Sequence, residues 1–435
     1  MTLPFAASGS TAAVSSLRVY AVSVRLIQDM APHNVSESAG RVHDQLFGHI
    51  LPFWTGPALD HEQGGWLAWM SNDLRVDRSQ PKGLILNSRI LWTFSAVYRA
   101  QPQPLYQEMA HRAFEVVMKQ FWDAQYGGAF WRLDGGGRVL DDSKKTYGQA
   151  FYIYALAEYW KAFGDSASLA RAKELFELIE RHTHDAESGG YWETRRRNWS
   201  EAPDVRLSDK DMNEKKSMNN HLHLLEAYTN LWRVWREPRV ASRLRELIDL
   251  FEQRILDAQS GHLQHFFDER WQVRSNTYTF GHDIEASWLL WEAADVIEDA
   301  ALLRRVRRDA LRIAEIVLKE GIDADGGLCY EGKAGKVIDP RKECWPQAEA
   351  VVGFLNAFQL SHEAKYLEVA CRVWGYIEQH LVDRVHGEWF WRINADGRPD
   401  PDLPKVSEWK GPYHGSRACL ETLRRLKAID PMQTV

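Results

Sequence analysis

The chain has 435 residues, of which 45% are hydrophobic and 26% charged, and its net charge is −6. That balance is ordinary for a soluble globular protein, and so mild an acidity over this length argues against nucleic acid as a partner. No apolar run approaches the roughly 20 residues needed to cross a bilayer, so no membrane association is expected.

Residues 1–38 are rich in Ser and Ala and lack the ordered basic start and apolar stretch of a signal peptide. They read as a flexible N-terminal extension, with Met30 as an alternative start close to the fold. From residue 39 to 430 the chain reads as a single domain. Apolar residues then recur at helical spacing, as at Phe114, Val117, Met118 and Phe121, or Leu244, Leu247, Ile248 and Phe251. Such segments predict helices centred near residues 46, 92, 114, 155, 175, 226, 248, 290, 311, 353, 372 and 420.

A short phrase interrupts them six times: Asp, a few residues, Gly, then aromatics. It begins at Asp60, Asp123, Asp185, Asp257, Asp323 and Asp383. Its first glycines, Gly64, Gly127, Gly189, Gly261, Gly326 and Gly387, are 61 to 72 residues apart. A fixed period means one supersecondary unit used repeatedly, each too small for a core of its own. The phrases, with second turns such as LDGGGR and INADGR, predict short β-hairpins.

Long hairpin-bearing loops lead into the even-numbered helices, and short links such as PQP near Pro102 or GDS near Gly164 lead out of them. Antiparallel helix pairs with that alternation put every long loop on one face. The fold expected is therefore all-α: an (α/α)6 barrel of six helical hairpins, with β-hairpins in the long loops on one face. The even helices carry the notable polar and aromatic residues, so they are expected inside. Arg89, Tyr147, His223, His282, Trp345 with Glu349, and His414 then fall in or just before their first turns and meet at one mouth.

Of 16 histidines, His61, His182 and His386 read as surface or hairpin residues. His223, His282 and His414 stand out, because imidazole exchanges protons near neutrality; any one of them could instead be a hydrogen-bonded structural residue. His221 and His223, two apart on a helix, lie roughly 200° apart and do not share a face. With no HExxH and no Cys/His cluster, no metal is expected. Cys329, Cys344, Cys371 and Cys419 lack metal spacing and read as reduced thiols of a cytoplasmic protein. Asp283, Glu285 and Glu349 lie beside the histidines. A carboxylate pair would serve an inverting glycosidase, whereas single carboxylates would bind sugar hydroxyls or cap helices. Most of the 19 tryptophans belong to a core, but Trp345 and Trp409 flank the polar motifs and offer stacking faces for sugars. GGG at Gly135 lacks the context of a phosphate loop, and no GxSxG elbow occurs.

KGLILNSRILWTF, SMNNHLHLLEAYTNLWRVW, FGHDIEASWLLWEA, CWPQAEAVVGFLNAF and EWKGPYHGSRACLE together resemble the cellobiose 2-epimerases of the N-acylglucosamine 2-epimerase superfamily. The resemblance runs from about His43 to Arg424. It implies an (α/α)6 barrel and cofactor-independent epimerisation at C2 of the reducing-end glucose of a β-1,4-linked disaccharide such as cellobiose or lactose. It also implies His282 and His414 as the acid/base pair, and His223 as an aid to ring opening or a holder of sugar oxygens. Arg89, Tyr147, Asn219, Glu285, Glu349 and Trp345 would line the reducing-sugar subsite, and Trp409 would stack on the other sugar. One departure is Cys344, where the family usually has a second tryptophan; it bears on substrate preference. An aldose–ketose isomerase, an N-acylglucosamine 2-epimerase, an inverting glycosidase and a sugar-binding protein without activity are the alternatives. A monomer is expected, with a homodimer as the alternative.

Overall fold

The structure, a computed structural model, describes residues 35–429. Nearly all of the expected extension lies outside the described residues. The first helix, α1, opens at Val35–Gln45, ahead of the expected domain start, and runs through a π turn, Leu46–Ile50, into Leu51–Trp54. The helices α2 (Leu84–Ala100), α4 (Thr146–Phe163), α6 (Met218–Val234), α8 (Phe280–Ile297), α10 (Cys344–Ser361) and α12 (Tyr413–Ile429) form the inner ring. Each packs on the next, and α12 returns to α2 and closes the ring. Outside lie α1, α3 (Pro104–Gln120), α5 (Ser166–His182), α7 (Pro238–Leu250), α9 (Ala300–Glu320) and α11 (Ala364–Tyr376). The (α/α)6 barrel is thus as expected, with the even helices inside.

Burial explains which helix goes where. In α4 every residue from Thr146 to Tyr159 is buried, and a helix without a polar face must lie in an interior. In α9 the buried set is Leu302, Val306, Asp309, Ala310, Ile313, Ala314 and Val317, one stripe of an otherwise Arg-rich helix. The short link from α4 to α5 is set locally. Gly164 ends α4 at φ +65°, and the Asp165 side chain takes the Ser168 amide at 2.7 Å to start α5.

The repeated Asp–Gly phrases form tight loops. In the second, Asp123 Oδ1 accepts the amide of Gln125 at 3.0 Å, and Gly127 and Gly128 take φ of +70° and +74°, which only glycine adopts cheaply. Four of these aspartates also receive a lysine from the strand or loop that follows: Lys144 on Asp123, Lys216 on Asp185, Lys342 on Asp323 and Lys405 on Asp383. Each inner helix from α2 to α10 is preceded by a two-residue strand that pairs with the next repeat's hairpin. Lys82–Gly83 pairs antiparallel with Arg132–Leu133, and Lys144–Lys145 with Thr194–Arg195. A bridge from Met70 to Val406 joins the last repeat to the first. Hairpins also form at the second turns, as where Arg132–Leu133 meets Val139–Asp141. The long loops are thereby stitched into one collar at the N-terminal ends of the inner helices. Among the described residues, no helix is long and apolar enough to cross a membrane.

Candidate active site

The inner helices are centred where the sequence reading expects them, and the position of each candidate along its helix sorts them into two tiers. Tyr147, Asn219 and Trp345 are the second residues of α4, α6 and α10. His414 is the second of α12, and His282 the third of α8. These form the upper tier. Arg89, His223, Glu285 and Glu349 are each the sixth residue of their helices, which puts Arg89, His223 and Glu349 a turn deeper than expected.

The lower tier is built on a residue that the sequence reading missed. Arg417 of α12 is 1% exposed and donates to Glu285 Oε1 at 2.6 Å and Glu349 Oε1 at 2.8 Å. It also bonds Glu226 and the Tyr413 hydroxyl, and Tyr413 in turn donates to Glu226. Three buried carboxylates thus share one guanidinium. Burial works to raise Glu226, but Arg417, His223 and Tyr413 override it and hold its carboxyl at about 2. Burial and Glu349 push Glu285 well above the carboxylate range against the pull of Arg417, and burial likewise raises Glu349. One cation faces three carboxylates, which leaves Glu285 and Glu349 harder to ionise than Glu226.

Each histidine of interest has one ring nitrogen engaged. His414 Nδ1 lies 2.6 Å from Glu349 Oε1, His223 Nδ1 lies 2.8 Å from Glu226 Oε2, and His282 Nδ1 lies 2.6 Å from Thr279 Oγ1. Nε2 is the nitrogen left over in all three. Burial holds His282 well below its usual range, with His265, His223 and His414 adding to it. Burial, Arg89 and Arg417 do the same for His414. Both are therefore neutral at pH 7 and able to accept a proton. The indole of Trp345 touches both, with centroid distances of 4.7 Å to His282 and 5.7 Å to His414. Gly281 permits this contact, since a Cβ there would lie 2.7 Å from the indole.

Arg89 stands over the Phe151 ring at 4.5 Å and donates to the Tyr147 hydroxyl at 3.1 Å and the Trp409 carbonyl at 3.3 Å. Tyr147 meets His223 edge to face at 5.0 Å and Trp409 at 6.3 Å. Half-buried Asn219 has a carbonyl oxygen without a protein partner. The other candidates stand apart. Asp283 accepts the Leu263 amide and bonds His262, and His221 Nε2 accepts the Tyr191 amide, so both are structural. The Cys344 thiol is buried, and burial pushes it up to about 12. Glu285, Glu349 and His414 bring ligand-type atoms within 4.8 Å of one another, but Arg417 already supplies the positive charge between the two carboxylates. Glu226 had one available signal: it follows His223 by three, one helical turn. Arg417 had none beyond its spacing of three from His414, in a helix that mixes small, polar and charged residues.

An (α/α)6 barrel with partnered imidazoles and indoles at its mouth is the framework of a carbohydrate-converting enzyme. The chain belongs to the N-acylglucosamine 2-epimerase (GlcNAc 2-epimerase) family, whose sequence profile matches residues 65–416. It is similar to the cellobiose 2-epimerase of Bacteroides fragilis, 44% identical over 380 residues that span 87% of this chain and 97% of the relative. It is also similar to that of Dictyoglomus turgidum, 37% identical over 88% of this chain and 98% of the relative. The structure of cellobiose 2-epimerase from Bacillus thermoamylovorans superposes with a TM-score of 0.85 at 38% identity, covering 89% of this chain and 99% of that one.

Proposed function

We propose that the protein epimerises C2 of the reducing-end glucose of a β-1,4-linked disaccharide, converting cellobiose to glucosylmannose or lactose to epilactose without a cofactor. The observation that carries this reading is the pair His282 and His414, from α8 and α12, neutral and both in contact with Trp345. The chemistry needs that pair. A reducing sugar must first open to its aldehyde, which makes the C2 hydrogen acidic. One imidazole Nε2 then takes the C2 proton, and the electron pair enters an enediolate. The imidazolium so formed returns a proton to the opposite face of C2 once the enediolate has turned, or the second imidazole delivers one there in its protonated form; either route gives the other epimer. Two histidines at one mouth serve both faces.

Arg89 is the cation positioned to stabilise the enediolate oxygen, because its guanidinium reaches the Tyr147 hydroxyl in the upper tier. Glu349 orients His414 and Glu226 orients His223, so neither carboxylate is free for direct proton transfer to a glycosidic oxygen. That weighs against the inverting glycosidase. Trp409, half-buried beside Tyr147 and Trp131, extends an aromatic surface beyond the histidines and favours a disaccharide over a monosaccharide. Four free cysteines, three of them buried, suit a reducing cytoplasm. Incubation in D2O with cellobiose, lactose, mannose and N-acetylglucosamine in parallel tests the reading. Deuterium is expected at C2 of the epimerised disaccharide. Turnover of monosaccharides alone, or release of glucose from cellobiose, would refute it.

A further inference from the structure

We propose that Thr279 and His265 are positioning residues for His282, which fix the ring nitrogen it presents to the substrate. The inference rests on the two-histidine reading above. Thr279 is the residue just before α8, where a threonine normally gives its side-chain oxygen to an amide of the first turn. Ser217, in the same place before α6, does so, accepting the Asn220 amide at 3.1 Å. Thr279 makes no such cap. Its hydroxyl lies instead 2.6 Å from His282 Nδ1.

The backbone of Thr279 is held from the other side. Its N–H donates to His265 Nε2 at 3.2 Å, and the half-buried His265 ring stands edge to face with His282 at 5.7 Å. The preceding repeat has the same arrangement with a different residue. Glu193 accepts the Ser217 amide at 2.7 Å. Both Glu193 and His265 also use their backbone carbonyls to receive the first amide of an inner helix, Thr146 and Met218 respectively. A carboxylate at position 265 would therefore make the same hydrogen bond but place a negative charge beside His282. The imidazole makes it without that charge, since burial holds His265 at about 4 and so neutral.

His282 consequently differs from its two companions. His414 and His223 have carboxylate partners, whereas His282 has a hydroxyl. The groups facing it are His265 from the collar, His223 from α6, Trp345 from α10 and His414 from α12, and none is a carboxylate. The Thr279 oxygen accepts no helix amide, so its lone pairs are open to Nδ1–H, and in the arrangement proposed they receive it and leave the Nε2 lone pair for the C2 proton. After transfer, the imidazolium keeps the bond to Thr279. No anion traps it, and the proton returns readily to carbon.

The test compares Thr279→Val, Thr279→Ser and His265→Phe with the wild-type enzyme, by kinetics and by 15N NMR of labelled histidine, using His282→Gln for assignment. The wild type is expected to show His282 protonated at Nδ1 at neutral pH. Thr279→Val and His265→Phe should lower kcat about tenfold or more with KM within about twofold, and should mix the two tautomers. Thr279→Ser should restore both readouts. A wild-type His282 protonated at Nε2, an unchanged kcat in Thr279→Val, or a Thr279→Ser variant as impaired as the valine would each overturn the proposal. If the wild type exchanged no C2 proton, the functional reading would fall, whereas the tautomer measurement would still decide this one.

Discussion

Replacing Arg417 by Met tests the centre of the site most directly. Methionine fills much of the same volume but leaves Glu226, Glu285 and Glu349 without their shared cation. Removing one partner of a buried ion pair costs about 3–5 kcal/mol, because the remaining charge stays desolvated. Unfolding entropy near 2.1 cal/mol/K per residue, over roughly 400 residues, makes this a fall in Tm of about 4–6 °C. The loss should depend on pH. In the wild type the folded Glu226 sits at about 2, below its ordinary value of 4.5, so its stabilising contribution is present above the unfolded value and fades as pH falls toward 2. In the variant a buried Glu226 without Arg417 holds its proton, which costs stability as pH rises past the unfolded value. The gap between the two proteins should therefore widen from pH 4 to pH 7. Activity should fall about 100-fold, since Glu349 would no longer hold His414 in register. Thermal melts across that pH range, with kcat measured on cellobiose, check both parts. A variant that melts within about 1 °C of wild type at pH 7 and keeps its rate would refute the role given to Arg417.

Three other outcomes are expected. The rate should fall on the acid side only below the ordinary histidine value of 6.5, because burial holds His282 and His414 down; a pH profile of kcat/KM with an acid limb above 7 would contradict this. Lys144→Met removes one of the two cations on Asp123 and leaves Arg197; it should cost about 1.5–3 kcal/mol in urea unfolding with kcat little changed, since the pair holds a loop and not the histidines. Gly190→Ala forces a Cβ at φ +78° to within 2.5 Å of Trp271 and 2.6 Å of His221 Nε2. It should lower stability by about 2–4 kcal/mol on the same measurement, through strain and overpacking.

What the sequence determined by itself was the barrel, and with it the meeting of His282 and His414 from separate repeats. The periods of its Asp–Gly phrases and of its apolar residues are local properties, and both survive folding unchanged. The even helices could be placed inside because a helix like α4, with no polar face, has nowhere else to go. The three-way sharing of Arg417 lay beyond such reasoning. Glu226, Glu285, Glu349 and Arg417 come from α6, α8, α10 and α12, and which of them meet depends on how far each helix is turned and where it starts. From the sequence, Arg89, His223 and Glu349 fall in the first turns, whereas each lies one turn further down its helix. The same limit hid Thr279, whose sequence reads as an ordinary helix cap. Only the folded loop before α8, with His265 of its own hairpin holding the Thr279 amide, leaves that hydroxyl beside the His282 imidazole. Ring closure decides the Arg417 contacts, since it brings together side chains separated by whole repeats of chain.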